Sequence, residues 1–122
     1  MTPPLGCRFA AVSAGIRKDG RIDLALATSD GPAVAAGVFT RNLVKAAPVE
    51  IAAQRVATGT ARAILVNAGC ANACTGQAGD AATVASTAAV ADALGVPMHT
   101  VLPASTGVIG ALCPDEAPLL GL

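Results

Sequence analysis

The sequence has almost no aromatic side chains: its 122 residues include two phenylalanines and neither tryptophan nor tyrosine. The apolar fraction of 53% therefore consists mainly of Ala, Val, Leu and Ile, which bury little area per residue and require close backbone packing. Such a core is thin for its length, so we expect another polypeptide segment to pack against it. A chain of this size holds one hydrophobic core, and we interpret residues 1–122 as a single domain.

Charge bias and long apolar runs are also missing. Eight basic residues balance eight acidic ones, and with no Trp or Tyr to stack on bases the sequence does not favour nucleic-acid binding. No stretch approaches the roughly 18 uncharged apolar residues of a membrane span. The N-terminus lacks the basic region and apolar run of a secretory signal. We therefore expect a cytoplasmic protein that binds neither nucleic acid nor membranes.

Four cysteines are present, Cys7, Cys70, Cys74 and Cys113. Without an export signal we expect all four to be reduced thiols. Cys70 and Cys74 are close enough in sequence to share a metal, but zinc needs about four N or S ligands and the single histidine, His99, lies in another segment. Small buried thiols and no bound metal are the favoured interpretation, and a thiol or metal protein is the weaker alternative.

The pattern of apolar runs predicts a β-rich first half and an alternating second half. Strands are predicted over residues 9–12, 22–28 and 33–40, with turns at 18–21 and 29–32, and Asp19-Gly20 is typical of a hairpin turn. Helices are predicted over 48–58 and 80–94, and strands over 61–66 and 100–103.

The second predicted helix has Asp80 as its N-cap, Gly95 after its end, and an inward stripe of Val84, Ala88, Ala91 and Leu94. Together these elements predict an α/β fold of the α+β type. Its mixed, partly antiparallel sheet would be packed with two main helices.

Residues 66–76, Val-Asn-Ala-Gly-Cys-Ala-Asn-Ala-Cys-Thr-Gly, are rich in Gly and Asn and join a predicted buried strand to a helix. Ligands often bind at this position, because helix N-termini present free backbone N–H groups. The alternative is a structural turn in which Asn67 and Asn72 bond to local backbone. Neither Gly-x-Gly-x-x-Gly nor Gly-Lys-Ser/Thr occurs, so no phosphate-binding loop is indicated.

Residues 105–110, Ser-Thr-Gly-Val-Ile-Gly, follow the last predicted strand. A Thr-Gly step can direct a hydroxyl and a backbone N–H at one point, which is the arrangement that stabilises a developing oxyanion in acyl transfer. Ser-Thr-Gly also occurs in ordinary turns, so this segment alone does not decide between the two interpretations.

Four segments, taken together and in order, resemble the N-terminal motifs of the ornithine acetyltransferases (glutamate N-acetyltransferases). The resemblance spans residues 6–114. The matching segments are Gly15-Ile-Arg-Lys with Asp23-Leu-Ala-Leu, Ala36-Gly-Val-Phe-Thr-Arg-Asn42 with Lys45-Ala-Ala-Pro-Val49, residues 66–76 and residues 105–110. The resemblance implies the N-terminal part of the DmpA/ArgJ-like fold.

The resemblance also implies a mechanism. Family precursors cut themselves before a threonine in an Ala-Thr-Met-Leu type motif, giving α and β chains that assemble as α2β2. The new N-terminal threonine carries acetyl from N-acetylornithine to glutamate without a metal or, for this exchange, a coenzyme. Some members also take acetyl-CoA as a substrate. The family's oxyanion hole falls on Thr106 and Gly107, which we predict to be the catalytic residues of this chain.

The sequence departs from the family pattern in several places. It has no Ala-Thr-Met-Leu motif, so we expect a truncated N-terminal portion of the α chain that is inactive without the β chain. Ala68 and Cys70 replace the usual Ser and Asn, which removes a side-chain amide from a polar turn, and Cys113 replaces a common Leu. These departures leave an alternative function, a non-catalytic α/β binding or structural module that retains the fold.

Overall fold

A computed structural model describes residues 2–114, which form one mixed four-stranded sheet and two α-helices. The elements in chain order are β1 (Cys7–Val12), β2 (Leu24–Val34), α1 (Ala47–Val56), β3 (Thr60–Cys70), α2 (Gly76–Leu94), a 3-10 helix (Met98–Thr100) and β4 (Val101–Val108). The strands lie in the order β1-β2-β3-β4. Neighbours are antiparallel except for β3 and β4, which are parallel. The predicted fold class is confirmed.

The first half forms only two of its three predicted strands, β1 and β2. The strand predicted over residues 33–40 was wrong, because residues 33–34 end β2 and residues 35–40 are not in a strand; β2 pairs instead with β3. Strand β2 continues through residues 29–32, where we predicted a turn, and its pairing with β3 shifts register between Thr28 and Ala33. A bulge of this kind absorbs extra residues without ending the strand, so the turn prediction was wrong. Asp19-Gly20 lies in a local turn, but the connection between β1 and β2 is the longer loop of residues 13–23.

Helix α1 follows the sequence prediction closely, with Glu50 in its first turn and Arg55 in its last. Helix α2 begins at Gly76, so Asp80 lies inside the helix and the prediction that it caps the N-terminus was wrong. Gly95 ends α2 in the left-handed conformation as predicted, with φ of 63°. Within residues 2–114, no helix is both long enough and apolar enough to cross a membrane.

The buried face of α2 differs from the predicted stripe. Thr83 and Thr87 are fully buried, whereas Val84 and Leu94 are about 40% exposed. The Thr83 hydroxyl donates to the Gly79 carbonyl at 2.8 Å, and the Thr87 hydroxyl donates to the Thr83 carbonyl at 3.1 Å. Because the helix itself satisfies both hydroxyls, they are buried without losing a hydrogen bond. The stripe prediction was therefore wrong for Val84 and Leu94, although Ala91 is buried in the core as predicted. Apolarity in this alanine-rich helix differs little from one face to another.

One face of the sheet carries the core. Helices α1 and α2 pack against β4, and alternate residues of β3, including Ala63 and Leu65, point into the same layer. Arg55 links the end of α1 to the first residue of β4, since its buried guanidinium donates to the Val101 carbonyl at 2.6 Å. The core cluster comprises Leu24, Ala63, Leu65, Val90, Ala91 and Val101.

The opposite face of the sheet is apolar and uncovered by the described residues. Phe9, Ala27, Ile64 and Leu102 are aligned across the four strands in one row. Phe9 is 65% exposed and Ile64 is 44% exposed. A contiguous apolar surface of this kind usually marks an interface.

The loop between β1 and β2 is organised by a buried aspartate. The Asp23 carboxylate accepts hydrogen bonds from the backbone N–H groups of Ala14, at 2.6 Å, and Arg17, at 2.7 Å. The Asp23 carbonyl accepts from the Ala68 N–H at 2.8 Å. Burial raises the pKa of Asp23, but hydrogen bonds from the Arg17 and Ala14 backbone N–H groups outweigh it and lower the pKa overall. Asp23 therefore fixes residues 13–23 against the end of β3.

We predict that Asp23→Asn destabilises the chain at neutral pH and reduces the acid dependence of its stability. Hydrogen bonds to a charged acceptor contribute about 1.5–3 kcal/mol, and an amide NH2 would face the donating N–H groups. Because the folded pKa of Asp23 lies below the usual value of about 3.9, its contribution is present above that pH and is lost as pH falls through the folded value.

The measurement is the free energy of unfolding between pH 3 and pH 7. Asp30→Asn is the matched control, because the Asp30 carboxylate is exposed and pairs with the exposed Arg8. An equal loss of unfolding free energy on acidification for Asp23→Asn and the wild-type chain would contradict the prediction.

Candidate active site

The parallel pairing of β3 and β4 brings the two glycine-rich segments side by side. Ala68 lies opposite Thr106, and Gly69 lies opposite Gly107. Residues 67–70 and 105–108 thus belong to strands, although the sequence predicted connecting segments at both places. Two motifs separated by more than thirty residues in sequence form a single site.

Gly69 and Gly107 allow an unusually close backbone approach. Both have positive φ, 128° at Gly69 and 147° at Gly107. A Cβ on Gly107 would collide with the carbonyl carbon of Gly69 and would lie 2.6 Å from the backbone nitrogen of Cys70. A Cβ on Gly69 would lie 2.8 Å from Cγ2 of Ile16. Only glycine fits either position, so the end of β4, the end of β3 and the loop at Ile16 form one packed unit.

A network of polar side chains also links the ends of β3 and β4. The Ser105 hydroxyl donates to Oδ1 of Asn67 at 2.5 Å and accepts from Nδ2 of Asn72 at 3.2 Å. Asn67 also donates to the Cys70 carbonyl at 2.9 Å, which is the local bond expected of a structural turn. Asn72 differs, because its side chain reaches across to β4 while its carbonyl accepts from Ala47 at the start of α1. The network therefore joins β3, β4 and α1.

Thr106 and Gly107, the predicted catalytic residues, are both exposed at an open hollow of about 440 Å³. Among residues 2–114, no side-chain hydrogen bond occupies the Thr106 hydroxyl. The Thr106 hydroxyl is thus accessible. The hollow is lined by Ile16, Arg17, Lys18, Asp19, Ala68, Gly69, Thr106, Gly107 and Val108.

The loop that forms one wall of this hollow was not predicted to belong to the site. Arg17 and Lys18 belong to the first family motif, yet that motif carried no predicted site role. One residue of the sequence could have indicated that this loop is ordered: Asp23, an acidic residue at the start of an apolar strand. Such a residue is buried only when it is hydrogen-bonded, and here its partners are the backbone of this loop.

The cysteines differ from the prediction. Cys70, buried at the end of β3, forms a disulfide with Cys113, and their Cα atoms lie 5.3 Å apart. The expectation of a reduced thiol was wrong for this pair, because the chain folds back after β4, where Gly110 donates to the Ala73 carbonyl at 2.8 Å. Cys7 and Cys74 are free. Over residues 2–114 no group of three or more His, Cys, Asp or Glu side chains is arranged to hold a metal ion.

We predict that two of the four cysteines react with a thiol reagent in denatured, unreduced protein, because Cys70 and Cys113 are joined. All four should react after reduction. Cys113→Ser frees Cys70 and should give three reactive thiols without reductant. Four reactive thiols in unreduced wild-type protein purified in air would contradict the pairing.

Gly107→Ala is predicted to lower the free energy of unfolding by about 1–3 kcal/mol, the usual range for a residue forced into an unfavourable backbone region. The new Cβ would also push β4 away from β3. Gly31→Ala is the matched control, since Gly31 has no positive φ and a Cβ there meets nothing within 4 Å. Equal unfolding midpoints in urea for the two variants would count against this close approach.

Comparison with known proteins identifies the family. The model of the ArgJ family matches residues 8–120. The chain is 52% identical over 111 residues to the arginine biosynthesis bifunctional protein ArgJ of Geobacter sulfurreducens, covering 91% of this chain. It is 55% identical over 109 residues to the protein of the same name in Nitratidesulfovibrio vulgaris, covering 88% of this chain. The chain spans 28% of the length of each of these relatives.

Solved structures agree with the fold and with the family. The crystal structure of ornithine acetyltransferase complexed with ornithine from Mycobacterium tuberculosis matches with a TM-score of 0.92 and 49% identity, over 97% of this chain and 64% of that chain. The ArgJ structure from Bacillus halodurans matches with a TM-score of 0.85 and 36% identity, over 90% of this chain and 58% of that chain. Because the family model covers nearly the whole chain and the Geobacter and Nitratidesulfovibrio relatives are more than half identical to it, this chain belongs to the ArgJ family.

Proposed function

We propose that this chain supplies the oxyanion-stabilising part of an acetyltransferase of arginine biosynthesis, which transfers acetyl from N-acetylornithine to glutamate. The observation that carries the proposal is the open hollow beside Thr106 and Gly107 in a chain of the ArgJ family. The relatives' names, with arginine biosynthesis and ornithine acetyltransferase in them, support the substrate class.

Two donors of this segment suit a developing negative charge. The Thr106 hydroxyl is exposed at the hollow. The Val108 carbonyl points towards β3, because it accepts a hydrogen bond from the Ala71 N–H. Backbone groups of successive residues point to alternate sides of a strand. We therefore expect the N–H of the preceding residue, Gly107, to point away from β3. A hydroxyl and an N–H on adjacent residues could then hold one oxyanion, the arrangement that stabilises tetrahedral intermediates in acyl transfer.

In the proposed reaction, the nucleophile comes from a second chain. An N-terminal threonine hydroxyl attacks the acetyl carbonyl carbon of N-acetylornithine and passes its proton to a base, which can be the threonine's own amine. The carbonyl oxygen becomes an oxyanion held by Thr106 and Gly107. The C–N bond then breaks, ornithine leaves with a proton on its amine, and the acetyl group remains on the threonine. Attack by the amine of glutamate reverses these steps and releases N-acetylglutamate.

The uncovered sheet face is an argument for a partner chain. The row of Phe9, Ala27, Ile64 and Leu102 is the kind of surface that another polypeptide covers, and the curated relatives are more than three times as long as this chain. We propose that the β chain of the family packs here in an α2β2 assembly. The chain alone would then be inactive, because the nucleophile lies elsewhere.

The experiment is reconstitution with the remaining α segment and a β chain that begins in threonine. We expect acetyl exchange between N-acetylornithine and glutamate from the assembly and none from the 122 residues alone. Acetyl-CoA can be tested as a second donor in the same assay, because the relatives are named bifunctional. A folded assembly without exchange would favour the non-catalytic module instead.

Within the active assembly, Thr106→Ala is predicted to lower kcat by about 100- to 1,000-fold with a small effect on KM, the usual result of removing one oxyanion donor. Thr106→Ser keeps the hydroxyl and should retain much of the rate. Thr60→Ala is the matched control, since Thr60 is exposed at the start of β3 and does not line the hollow. A Thr106→Ala variant with wild-type kcat would remove the hydroxyl from the mechanism.

A further inference from the structure

We infer that Ser105 is a positioning residue, which Asn67 and Asn72 hold in place so that Thr106 and Gly107 keep the geometry of an oxyanion site. The inference rests on the proposed acetyl transfer. Ser105 immediately precedes Thr106 in β4, yet it is not among the described residues that line the hollow. Any effect of Ser105 on the reaction must therefore act through the two residues that follow it.

Ser105 and Thr106 lie on opposite faces of the sheet. Side chains of successive strand residues alternate between the two faces, so Ser105 shares the face of Val101, which is 0% exposed and part of the core. Asn67 lies opposite Ser105 in the parallel register. The hydrogen bonds of Ser105 are thus on the helix-covered face, whereas the Thr106 side chain points to the uncovered one.

The end of β4 needs such a support. Ser105 is the last half-buried residue of the strand, and Thr106, Gly107 and Val108 are all exposed. In the described sheet β4 is an edge strand, with β3 as its single strand neighbour. Glycine also has more backbone freedom than any other residue. Because an oxyanion donor must lie about 2.7–3.1 Å from the developing charge, the residue before this pliable segment has to be fixed.

Two hydrogen bonds of opposite direction fix Ser105. Its hydroxyl donates to Oδ1 of Asn67 at 2.5 Å and accepts from Nδ2 of Asn72 at 3.2 Å. A hydroxyl supplies both a donor and an acceptor, so serine satisfies both asparagines at once. Alanine would leave both without this partner, whereas threonine would keep the two bonds.

Asn72 connects Ser105 to helix α1. The side chain of Asn72 is buried, and its Oδ1 has no hydrogen-bond partner among residues 2–114. The bond to Ser105 is therefore the single bond that this side chain makes in the described part of the chain. An amide with half its capacity unused is unfavourable in a purely structural turn. The Asn72 carbonyl accepts from the Ala47 N–H at 3.0 Å, so the position of α1 is passed on to Ser105.

The first test compares Ser105→Ala with the wild type in the reconstituted enzyme. We expect kcat to fall about tenfold while KM for N-acetylornithine and for glutamate stays within about twofold, because displaced donors weaken the transition state more than the bound substrate. Ser105→Thr should restore kcat to within about threefold of the wild type.

Two further variants separate the network from general damage. Asn72→Gly removes the amide but tolerates the φ of 49° at this position, so its loss of kcat should match that of Ser105→Ala. Ser86→Ala is the matched control and should leave kcat unchanged. Ser86 is also half-buried, but its hydroxyl donates to the Thr83 carbonyl within α2.

The second test repeats Ser105→Ala in the Thr106→Ala background. The hydroxyl that Ser105 positions is absent there, so the second substitution should lower kcat by less than about threefold. Hydrogen exchange measured on peptides of the assembly gives a readout without activity. Residues 105–108 should exchange faster in Ser105→Ala and at the wild-type rate in Ser86→Ala.

Three results would each overturn the inference. They are wild-type kcat in Ser105→Ala, the same tenfold loss in both backgrounds, and no rescue by Ser105→Thr in a folded assembly. Absence of exchange in the wild-type assembly would contradict the proposed function itself and the inference with it, so the two failures are distinguishable.

Discussion

The structure of the site depends on how closely two backbones can approach at the ends of β3 and β4. Gly69 and Gly107 face each other in the parallel register, each with a positive φ that side chains tolerate poorly. This contact aligns Thr106 with Ala68 and brings the Ile16 loop down onto β3. A single additional methyl group would separate the strands, so the geometry of the hollow follows from two missing side chains.

Several other interactions maintain this approach. Ser105, Asn67 and Asn72 bond across the two strands, and the carbonyl of Asn72 also receives the first N–H of α1. The disulfide adds a covalent connection from the end of β3 to the segment after β4. The resemblance marked both cysteines as departures from the family pattern, and the structure joins them to each other.

Much of the fold could be predicted from local signals. Pro48 and Glu50 mark the start of α1 and Arg55 its last turn, because helix dipoles act on nearby residues, and Gly95 ends α2 as a local left-handed cap. The burial of Thr83 and Thr87 could not be predicted, since it depends on bonds that the folded helix supplies. The bulge in β2 was missed because Asp30-Gly31-Pro32 has the composition of a turn, while its pairing with distant β3 decides its conformation.

The candidate site was predictable in part. Thr106 and Gly107 were predicted from a motif, and the structure places both at an open hollow, while their catalytic role stays a prediction. The basic loop was missed because its proximity to β4 arises from long-range packing of Ile16 on Gly69. The disulfide was missed because the expected redox compartment says nothing about which cysteines meet in the fold.

The hydrogen bonds of Asp23 constrain the backbone of its loop but not the side chains of that loop. Asp23 holds Ala14 and Arg17 through main-chain N–H groups, which every amino acid except proline possesses. The shape of the loop is therefore largely independent of which side chains it displays. Mutation can therefore exchange residues 17–19 and change the side chains that line the hollow while the backbone scaffold stays intact, so the lining can diverge in small, separable steps.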